Sequence, residues 1–438
     1  MPIRRAAALI ALATLALPSA FASAAPPHTP TGPDLPAPSA AAKPGIPLAA
    51  RGGIGDAELR AEIEAALRSV GGADGVWVFD IDGDRVLFAD DASRRLIPAS
   101  NQKLFTTAAF LEHFGPDTRL KTRAYASGEL RGRGRRLTVA GDLVIVGDGD
   151  PALGSGAFAR HNNQPVTKVS TLAREVAAAG VVRITGRVLA DDTIFDRKRR
   201  AGPYLSPLSG LSFNNGIAGG DYASDPELVT AKRLAQALRK RGVRVAKHVG
   251  RGKLAPAVLE DDPLAMAPSP PVSTLIAETN EASNNFFAEM LLKRLGAEGG
   301  RGTRKRGAAK VERFARLEGT DVNAVDGSGL SRRNSASPEE VGRLLVAVAR
   351  DDRDATAFAR SLATAGREGT LADRMEGTAA EGACEGKTGT LDGVSALSGY
   401  CDANGRTIAF ATLFNDTDVY AARAAQDRIA VAIARYAP

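Results

Sequence analysis

Strand-like patterns stand near both ends of this chain, and a helix that is apolar on nearly every side follows the first of them. Apolar and polar residues alternate through residues 75–90 around an Asp82-Gly83 turn, and strand-like runs return in residues 386–414 before a final helical stretch. Residues 104–111 are apolar almost all round, as expected of a helix buried inside a domain. This order predicts one sheet assembled from both ends of the chain, with the apolar helix packed beside it.

The middle of the chain, residues 123–262, mixes strand-like and helical runs with many glycines. We predict an inserted accessory domain there, and a main domain formed by residues 56–122 and 263–438. Roughly 380 residues remain after the N-terminal segments described next, which is more than one hydrophobic core usually serves.

The first 24 residues have the make-up of a secretion signal, with two arginines, an apolar run at 6–17 and the small-residue stretch Ala22-Ser23-Ala24. The apolar run is too short to span a membrane, which takes about 20 apolar residues. Residues 25–55, rich in proline and alanine, predict an extended spacer. We expect a protein exported to the periplasm or elsewhere outside the cytoplasm, with no transmembrane segment.

The formal charge of +7 is modest for 438 residues, and short basic runs occur at 197–200 and 304–306. A solvated basic surface is the ordinary interpretation, and a weak attraction to anionic envelope polymers is the alternative. The runs lack the interleaved aromatic residues of grooves that bind single-stranded nucleic acid, so no nucleic-acid partner is expected. The histidines lack further ligands at metal-site spacing, so we expect no metal and no cofactor.

Cys384 and Cys401 are the two cysteines of the chain, and an even pair in an exported protein suggests a disulfide. If Asp392-Gly393 is a two-residue hairpin turn, counting outward places Cys384 opposite Cys401. That position is a non-hydrogen-bonded pair, where side chains of antiparallel strands approach most closely. The pattern predicts a cross-strand disulfide, with two buried unpaired thiols as the alternative.

Ser100 and Lys103 stand where the apolar helix begins, and residues three apart share a helix face. A serine hydroxyl is a poor nucleophile until a base removes its proton. A lysine can be that base if burial and neighbouring cations lower its pKa from about 10.4. The ordinary alternative is a serine that caps the helix, since Ser-x-x-Lys also arises by chance.

Two further stretches follow in order, Ser283-Asn284-Asn285 between two helical segments and Lys387-Thr388-Gly389-Thr390 on a late strand before the Asp-Gly turn. Ser-x-x-Lys, Ser-Asp-Asn and Lys-Thr-Gly form the motif set of penicillin-binding proteins and serine β-lactamases, and the middle element reads Ser-Asn-Asn here. The chain therefore resembles the class C low-molecular-mass penicillin-binding proteins, which are serine-type D-alanyl-D-alanine carboxypeptidases/endopeptidases.

Further stretches carry the same resemblance, at residues 141–151, 186–192, 326–331 and 366–371. The resemblance implies an α/β fold of the α+β type: a penicillin-binding/serine β-lactamase-like transpeptidase fold, with an antiparallel sheet flanked by helices and an inserted α/β lobe. One departure stands out. Between 212–215 and the helix after Pro226 the family usually carries a further strand-rich lobe, and this chain has a short glycine-bearing link.

The resemblance also implies roles for the first two motifs. Ser100 attacks the carbonyl of a stem peptide that ends in D-Ala-D-Ala, and Lys103 accepts its proton. Ser283 relays a proton to the departing D-alanine. Asn285 holds the substrate amide and the pair of lysines in place.

The third motif would bind substrate. Lys387 and Thr388 hold the terminal carboxylate, Gly389 and Thr390 complete the substrate-binding strand, and the N–H groups of Ser100 and Thr390 form the oxyanion hole. A β-lactam would acylate Ser100 as a covalent inhibitor. The alternatives are a β-lactamase or esterase on the same fold, and a non-catalytic wall-binding protein.

Overall fold

The computed structural model describes residues 53–200, 202, 205–246 and 248–438. The predicted signal peptide and all of the predicted spacer except its last three residues therefore lie outside the described residues. Ile54, within those three, is buried and forms a β-bridge with Tyr436 near the other end of the chain. In the described ranges, none of the helices combines the length and the apolar character needed to cross a membrane.

The strands form two large sheets and two small pairs. In chain order they are β1 Ala73–Asp80, β2 Arg85–Asp90, β3 Lys121–Arg131, β4 Leu137–Val146, β5 Leu153–Gly154, β6 Thr167–Lys168, β7 Val181–Ile184, β8 Val188–Asp191, β9 Ile217–Ala218, β10 Asp221–Tyr222, β11 Arg244–Val245, β12 Gly250–Arg251, β13 Ala265–Pro268, β14 Ala363–Thr364, β15 Cys384–Leu391, β16 Val394–Ala403 and β17 Arg406–Asn415.

The α-helices are spread along the described residues, and three short 3-10 turns accompany them. The helices are α1 Asp56–Leu67, α2 Gln102–Phe114, α3 Gly156–His161, α4 Val169–Ala178, α5 Pro226–Lys240, α6 Pro256–Leu259, α7 Val272–Asn280, α8 Asn285–Leu295, α9 Arg304–Leu317, α10 Pro338–Ala349, α11 Ala355–Ala359 and α12 Val419–Ala434; the 3-10 turns are Ala99–Asn101, Asn214–Gly216 and Gly369–Leu371.

The first sheet is antiparallel throughout, with strand order β14-β15-β16-β17-β1-β2. Its central neighbours β17 and β1 come from opposite ends of the chain, so the predicted sheet built from both ends is confirmed. Both of its faces are covered. Trp77 of β1 packs in one apolar core with α2, α8 and α10, whereas Val76 and Val78 point into the other core with α1 and α12.

A disulfide joins β15 to β16. Asp392 and Gly393 form the turn, and the register places Cys384 opposite Cys401 with their Cα atoms 4.0 Å apart. The predicted cross-strand disulfide is therefore confirmed, because a two-residue turn fixes the register of the pair. The bridge lies in the core under α12, on the opposite face of β15 from Lys387.

All strands of the second sheet fall within residues 121–268. β3 pairs antiparallel with β4 and with β13, while β4 pairs parallel with β7 and β8. The sequence of residues 182–190 is strand-like throughout, but in the structure this run is divided into β7 and β8. The division occurs because Gly186 lies against Gly141 and Asp142, and the Asp142 carboxylate accepts a hydrogen bond from the Arg187 N–H.

Candidate active site

Ser100 lies in the 3-10 turn that leads into α2, and its side chain is half-buried. The residue before it, Ala99, has φ +46°, a left-handed conformation that is uncommon for a residue with a Cβ. A Cβ at Gly329 would lie 1.8 Å from the Ala99 carbonyl oxygen, so only glycine lets the 326–331 loop pack this closely. The loop and the turn together fix the backbone that carries the Ser100 hydroxyl.

Lys103 is fully buried in the first turn of α2, and its Nζ donates three hydrogen bonds. The acceptors are Ser100 Oγ at 2.9 Å, Asn285 Oδ1 at 2.7 Å and the Ser328 carbonyl oxygen at 2.7 Å. Burial lowers the pKa of Lys103 to about 7, while the Asp326 and Glu289 carboxylates act in the opposite direction. A substantial fraction of this lysine is therefore uncharged near neutral pH.

The three acceptors determine where the lone pair of an uncharged Lys103 points. The Asn285 amide oxygen and the Ser328 carbonyl can only accept hydrogen bonds, so they hold the two N–H bonds that remain. The third direction is left for Ser100, whose hydroxyl can donate. Deprotonated Lys103 is thus arranged to accept the Ser100 proton.

Asn285 is the first residue of α8, and the helix is capped by its neighbour Asn284. The Asn284 side chain accepts from the Phe287 N–H at 3.2 Å and donates to Glu278 at 2.8 Å. Ser283 has φ +57°, a second strained position in the predicted motifs. Its half-buried hydroxyl has no hydrogen-bond partner among the described residues, so it is available to a substrate.

Lys387 is fully buried on β15, and its Nζ donates to the Thr388 carbonyl oxygen at 2.8 Å. Burial and the nearby charge of Lys103 hold the pKa of Lys387 well below its ordinary value. The strand approaches the nucleophile closely: a Cβ at Gly389 would lie 3.1 Å from the Ser100 nitrogen. The structure thus brings the first and third motifs into contact, with Gly389 as the residue that permits it.

The hydroxyl groups of the two threonines of the third motif each contact one other side chain. Thr388 Oγ1 donates to Thr370 Oγ1 at 2.8 Å, and Thr390 Oγ1 accepts from Arg423 Nη2 at 3.0 Å. Antiparallel alternation directs the N–H of Thr390 away from β16, to an edge where β14 pairs only with Glu385 and Gly386. An extended peptide could add to this edge as a further strand.

Residues outside the three motifs support Lys103 from behind. Glu289, fully buried on α8, accepts from the N–H groups of Gly327 and Ser328 at 2.9 and 3.0 Å, which fixes the carbonyl that Lys103 contacts. Burial, with the neighbouring Asp326, raises the pKa of Glu289 to about 7. A glutamate in the apolar run of α8 and the Asp326-Gly327-Ser328-Gly329 stretch were the available signals.

A family model matches nearly all of the described chain. The model is that of the D-Ala-D-Ala carboxypeptidase 3 (S13) family, and it matches residues 59–218 and 221–436. The two residues between these stretches, Gly219 and Gly220, form the turn between β9 and β10 with φ +66° and +93°. The turn lies in the short link where the resemblance implied that a lobe is missing.

Comparison with individual proteins agrees with the match to the family model. A D-alanyl-D-alanine carboxypeptidase of Actinomadura sp. (strain R39) is 34% identical, over 87% of this chain and 85% of that protein. The crystal structure of penicillin-binding protein 4 from Haemophilus influenzae shares the fold, with a TM-score of 0.68 and 18% identity over 84% of this chain and 97% of that one. The same Haemophilus protein complexed with a β-lactam matches with a TM-score of 0.66, at 18% identity over 84% and 98% of the two chains.

Proposed function

The chain belongs to the D-Ala-D-Ala carboxypeptidase 3 (S13) family, as its motifs predicted, and we propose that it hydrolyses D-Ala-D-Ala peptides of peptidoglycan through an acyl-enzyme on Ser100. The observation that carries this assignment is the 2.9 Å contact between Lys103 Nζ and Ser100 Oγ, in a site where the pKa of the lysine falls to about 7. A buried amine at this distance is a base matched to neutral pH.

Acylation begins with transfer of the Ser100 proton to Lys103. Ser100 Oγ then forms a bond to the carbonyl carbon of the penultimate D-alanine, and the bond from that carbon to the nitrogen of the last residue breaks. The leaving nitrogen takes up a proton through the Ser283 hydroxyl, which returns Lys103 to its uncharged form. The Ser283 hydroxyl, which no other described residue engages, and the position of Asn285 beside Lys103 support these roles.

Strand β15 supplies most of the groups that bind the substrate. The N–H groups of Ser100 and Thr390 receive the carbonyl oxygen that becomes negative, a contribution often worth about 3 kcal/mol per donor. Lys387, with the hydroxyls of Thr388 and Thr390, holds the terminal carboxylate of the substrate. The close contact of Gly389 with the Ser100 nitrogen supports this placement, because it sets the two N–H donors beside each other.

Water completes the reaction by attacking the ester on Ser100, and Ser100 regains its proton as the peptide leaves. A β-lactam acylates Ser100 by the same route, with its ring amide bond as the bond that breaks. The Haemophilus protein that shares this fold has been solved in complex with a β-lactam, which supports the proposal of covalent inhibition here.

The enzyme acts outside the cytoplasm, after export directed by residues 1–24, with residues 25–55 as a spacer. This proposal of a periplasmic or otherwise extracytoplasmic site rests on the N-terminal sequence and on the wall substrate of the family. We also propose that residues 123–262 form an inserted domain, and that residues 56–122 and 263–438 form the catalytic one. The confinement of the second sheet to residues 121–268 supports this division.

Two assays test the function. The purified protein is incubated with a pentapeptide ending in D-Ala-D-Ala and with a cross-linked dimer of wall peptides, and released D-alanine and cleaved dimer are measured. Labelling with a fluorescent penicillin should give one burst of one label per protein, lost in Ser100→Ala and kept in the surface variant Ser224→Ala. Sustained penicillin turnover would instead identify a β-lactamase, and labelling that survives Ser100→Ala would refute the assignment of the nucleophile.

A further inference from the structure

Positive charge is concentrated at the end of the second sheet where β4, β7 and β11 begin. Residues 132–137, 180–185 and 236–246 meet at this end and hold eight basic residues and no acidic one. Their charge of +8 exceeds the net charge of +7 of the whole chain. We call the basic side chains of these three segments the basic tip.

Strand pairing explains why the three segments meet. The Leu137 N–H donates to the Gly180 carbonyl, so the β3–β4 turn lies beside the start of β7. Parallel pairing of β7 with β11 sets Arg183 directly opposite Arg244. Because neighbouring strands are about 4.8 Å apart, these two like charges repel each other unless an anion lies between or above them.

Every basic residue of the tip is exposed, and none has a carboxylate partner within the part of the chain that the structure describes. Nearby arginines do have such partners: Arg131 pairs with Glu129, and Arg187 pairs with Asp142. The dipole at the end of α5 favours the cations of its last turn. It does not account for the Arg183 and Arg244 pair, nor for the arginines of the β3–β4 turn.

A groove of about 560 Å³ lies within the basic tip, lined by Arg183, Arg239 and residues 242–246, which include Arg244. Strand β11 is the edge of its sheet, so no further strand closes the groove on that side. An open groove admits a linear chain, whereas a flat bilayer would touch only its rims. Closely spaced guanidinium groups bind phosphate oxygens in pairs and match a polymer with one anion on each short repeat.

We propose that the basic tip binds a linear phosphodiester polymer of the cell envelope. The strand β3 begins at Lys121, beside the catalytic part of the chain, and ends at Arg131 near the tip. Ten residues of strand span roughly 33 Å, so a polymer held at the tip leaves the cleft at Ser100 open. The enzyme is thereby anchored in the wall while its active site remains free to engage stem peptides.

The test compares two quadruple variants that lose the same charge. The tip variant is R135Q/R136Q/R183Q/R244Q, and the matched control is R197Q/K198Q/R301Q/K305Q, four exposed cations in or close to the other basic runs. Fluorescent poly(glycerol phosphate) is the probe, and its affinity is measured across a series of salt concentrations. We expect the affinities of the wild type and the control to agree within about twofold and to fall as salt rises. The affinity of the tip variant should be lower by about tenfold or more.

An equal loss of affinity in the two variants would show that binding depends on net charge alone, and it would overturn the proposal. Wild-type affinity in the tip variant would do the same, as would binding of polyglutamate or of phosphatidylglycerol vesicles at least as tight as that of the phosphodiester probe. Penicillin labelling of Ser100, measured in parallel, shows that each variant is folded. It also keeps this proposal separate from the catalytic one, because either result can fail without the other.

Discussion

Arg423 of α12 and Thr390 of β15 are joined by a hydrogen bond of 3.0 Å from the guanidinium Nη2 to the threonine Oγ1. A hydroxyl that accepts from an arginine keeps its own hydrogen free to donate. The contact therefore leaves the Thr390 hydroxyl able to donate to an anion, and it places a positive charge beside the proposed carboxylate site.

Replacing Arg423 by glutamine should lower kcat/KM for a D-Ala-D-Ala peptide by about tenfold, mainly through a higher KM. For a peptide whose terminal carboxylate is converted to an amide, the same substitution should lower kcat/KM much less. Arg428→Gln, on the same helix but bonded to Ser69, is the matched control. If Thr390→Val and Arg423→Gln prove additive in a double-mutant cycle, the two residues do not act together.

The rate of acylation by penicillin should rise with pH through about 7 and level off above it. The reason is that the pKa of Lys103, lowered by burial, sets the fraction of the uncharged base. Stopped-flow measurements of the second-order rate constant between pH 5 and 9 give the profile. In the Lys103→Arg variant, whose side chain stays charged, this rate constant should be lower by at least about a thousandfold across the whole pH range.

Asn285→Asp places a carboxylate 2.7 Å from Lys103 Nζ without changing the shape of the side chain. An adjacent negative charge favours the ammonium form, so the midpoint of the acylation profile should move up by about one pH unit or more. The variant should be slow at pH 7 and recover at higher pH. Asn285→Ala, in contrast, should reduce the rate without an upward shift, and a common profile for both variants would exclude this electrostatic explanation.

The disulfide should stabilise the folded enzyme without taking part in the reaction. Cys384 and Cys401 are 17 residues apart, and closing a loop of that length contributes about 3 kcal/mol to the free energy of unfolding. Urea unfolding of the Cys384→Ser/Cys401→Ser variant should show this loss, while native acylation rates stay unchanged. Dithiothreitol should destabilise the wild type and leave the double variant unaffected.

Local patterns predict several elements of the fold. The strand-like run of residues 137–146 and the helical pattern of residues 338–349 predict a strand and a helix, and β4 and α10 have those bounds. In α10 the reason is visible, because Ser337 and Glu340 form a capping box and Pro338 fills the first turn. The Asp392-Gly393 turn likewise fixed the register that brings the cysteines together.

Features that depend on distant parts of the chain could not be predicted in this way. Glu289 acquires a role only when the 326–331 loop folds over α8. The pairing of Arg423 with Thr390 joins two elements that no local periodicity relates.

The position of β17 in the first sheet means that this sheet is completed late in the synthesis of the chain. The β1–β2 hairpin is made early, yet its neighbour β17 lies more than 300 residues later, and β15 with Lys387 is also translated near the end. A nascent chain therefore carries its serine nucleophile long before it has the strand that completes the cleft. The cleft is complete only once β15, β16 and β17 have been synthesised, so a truncated product that lacks these three strands should be inert toward the wall.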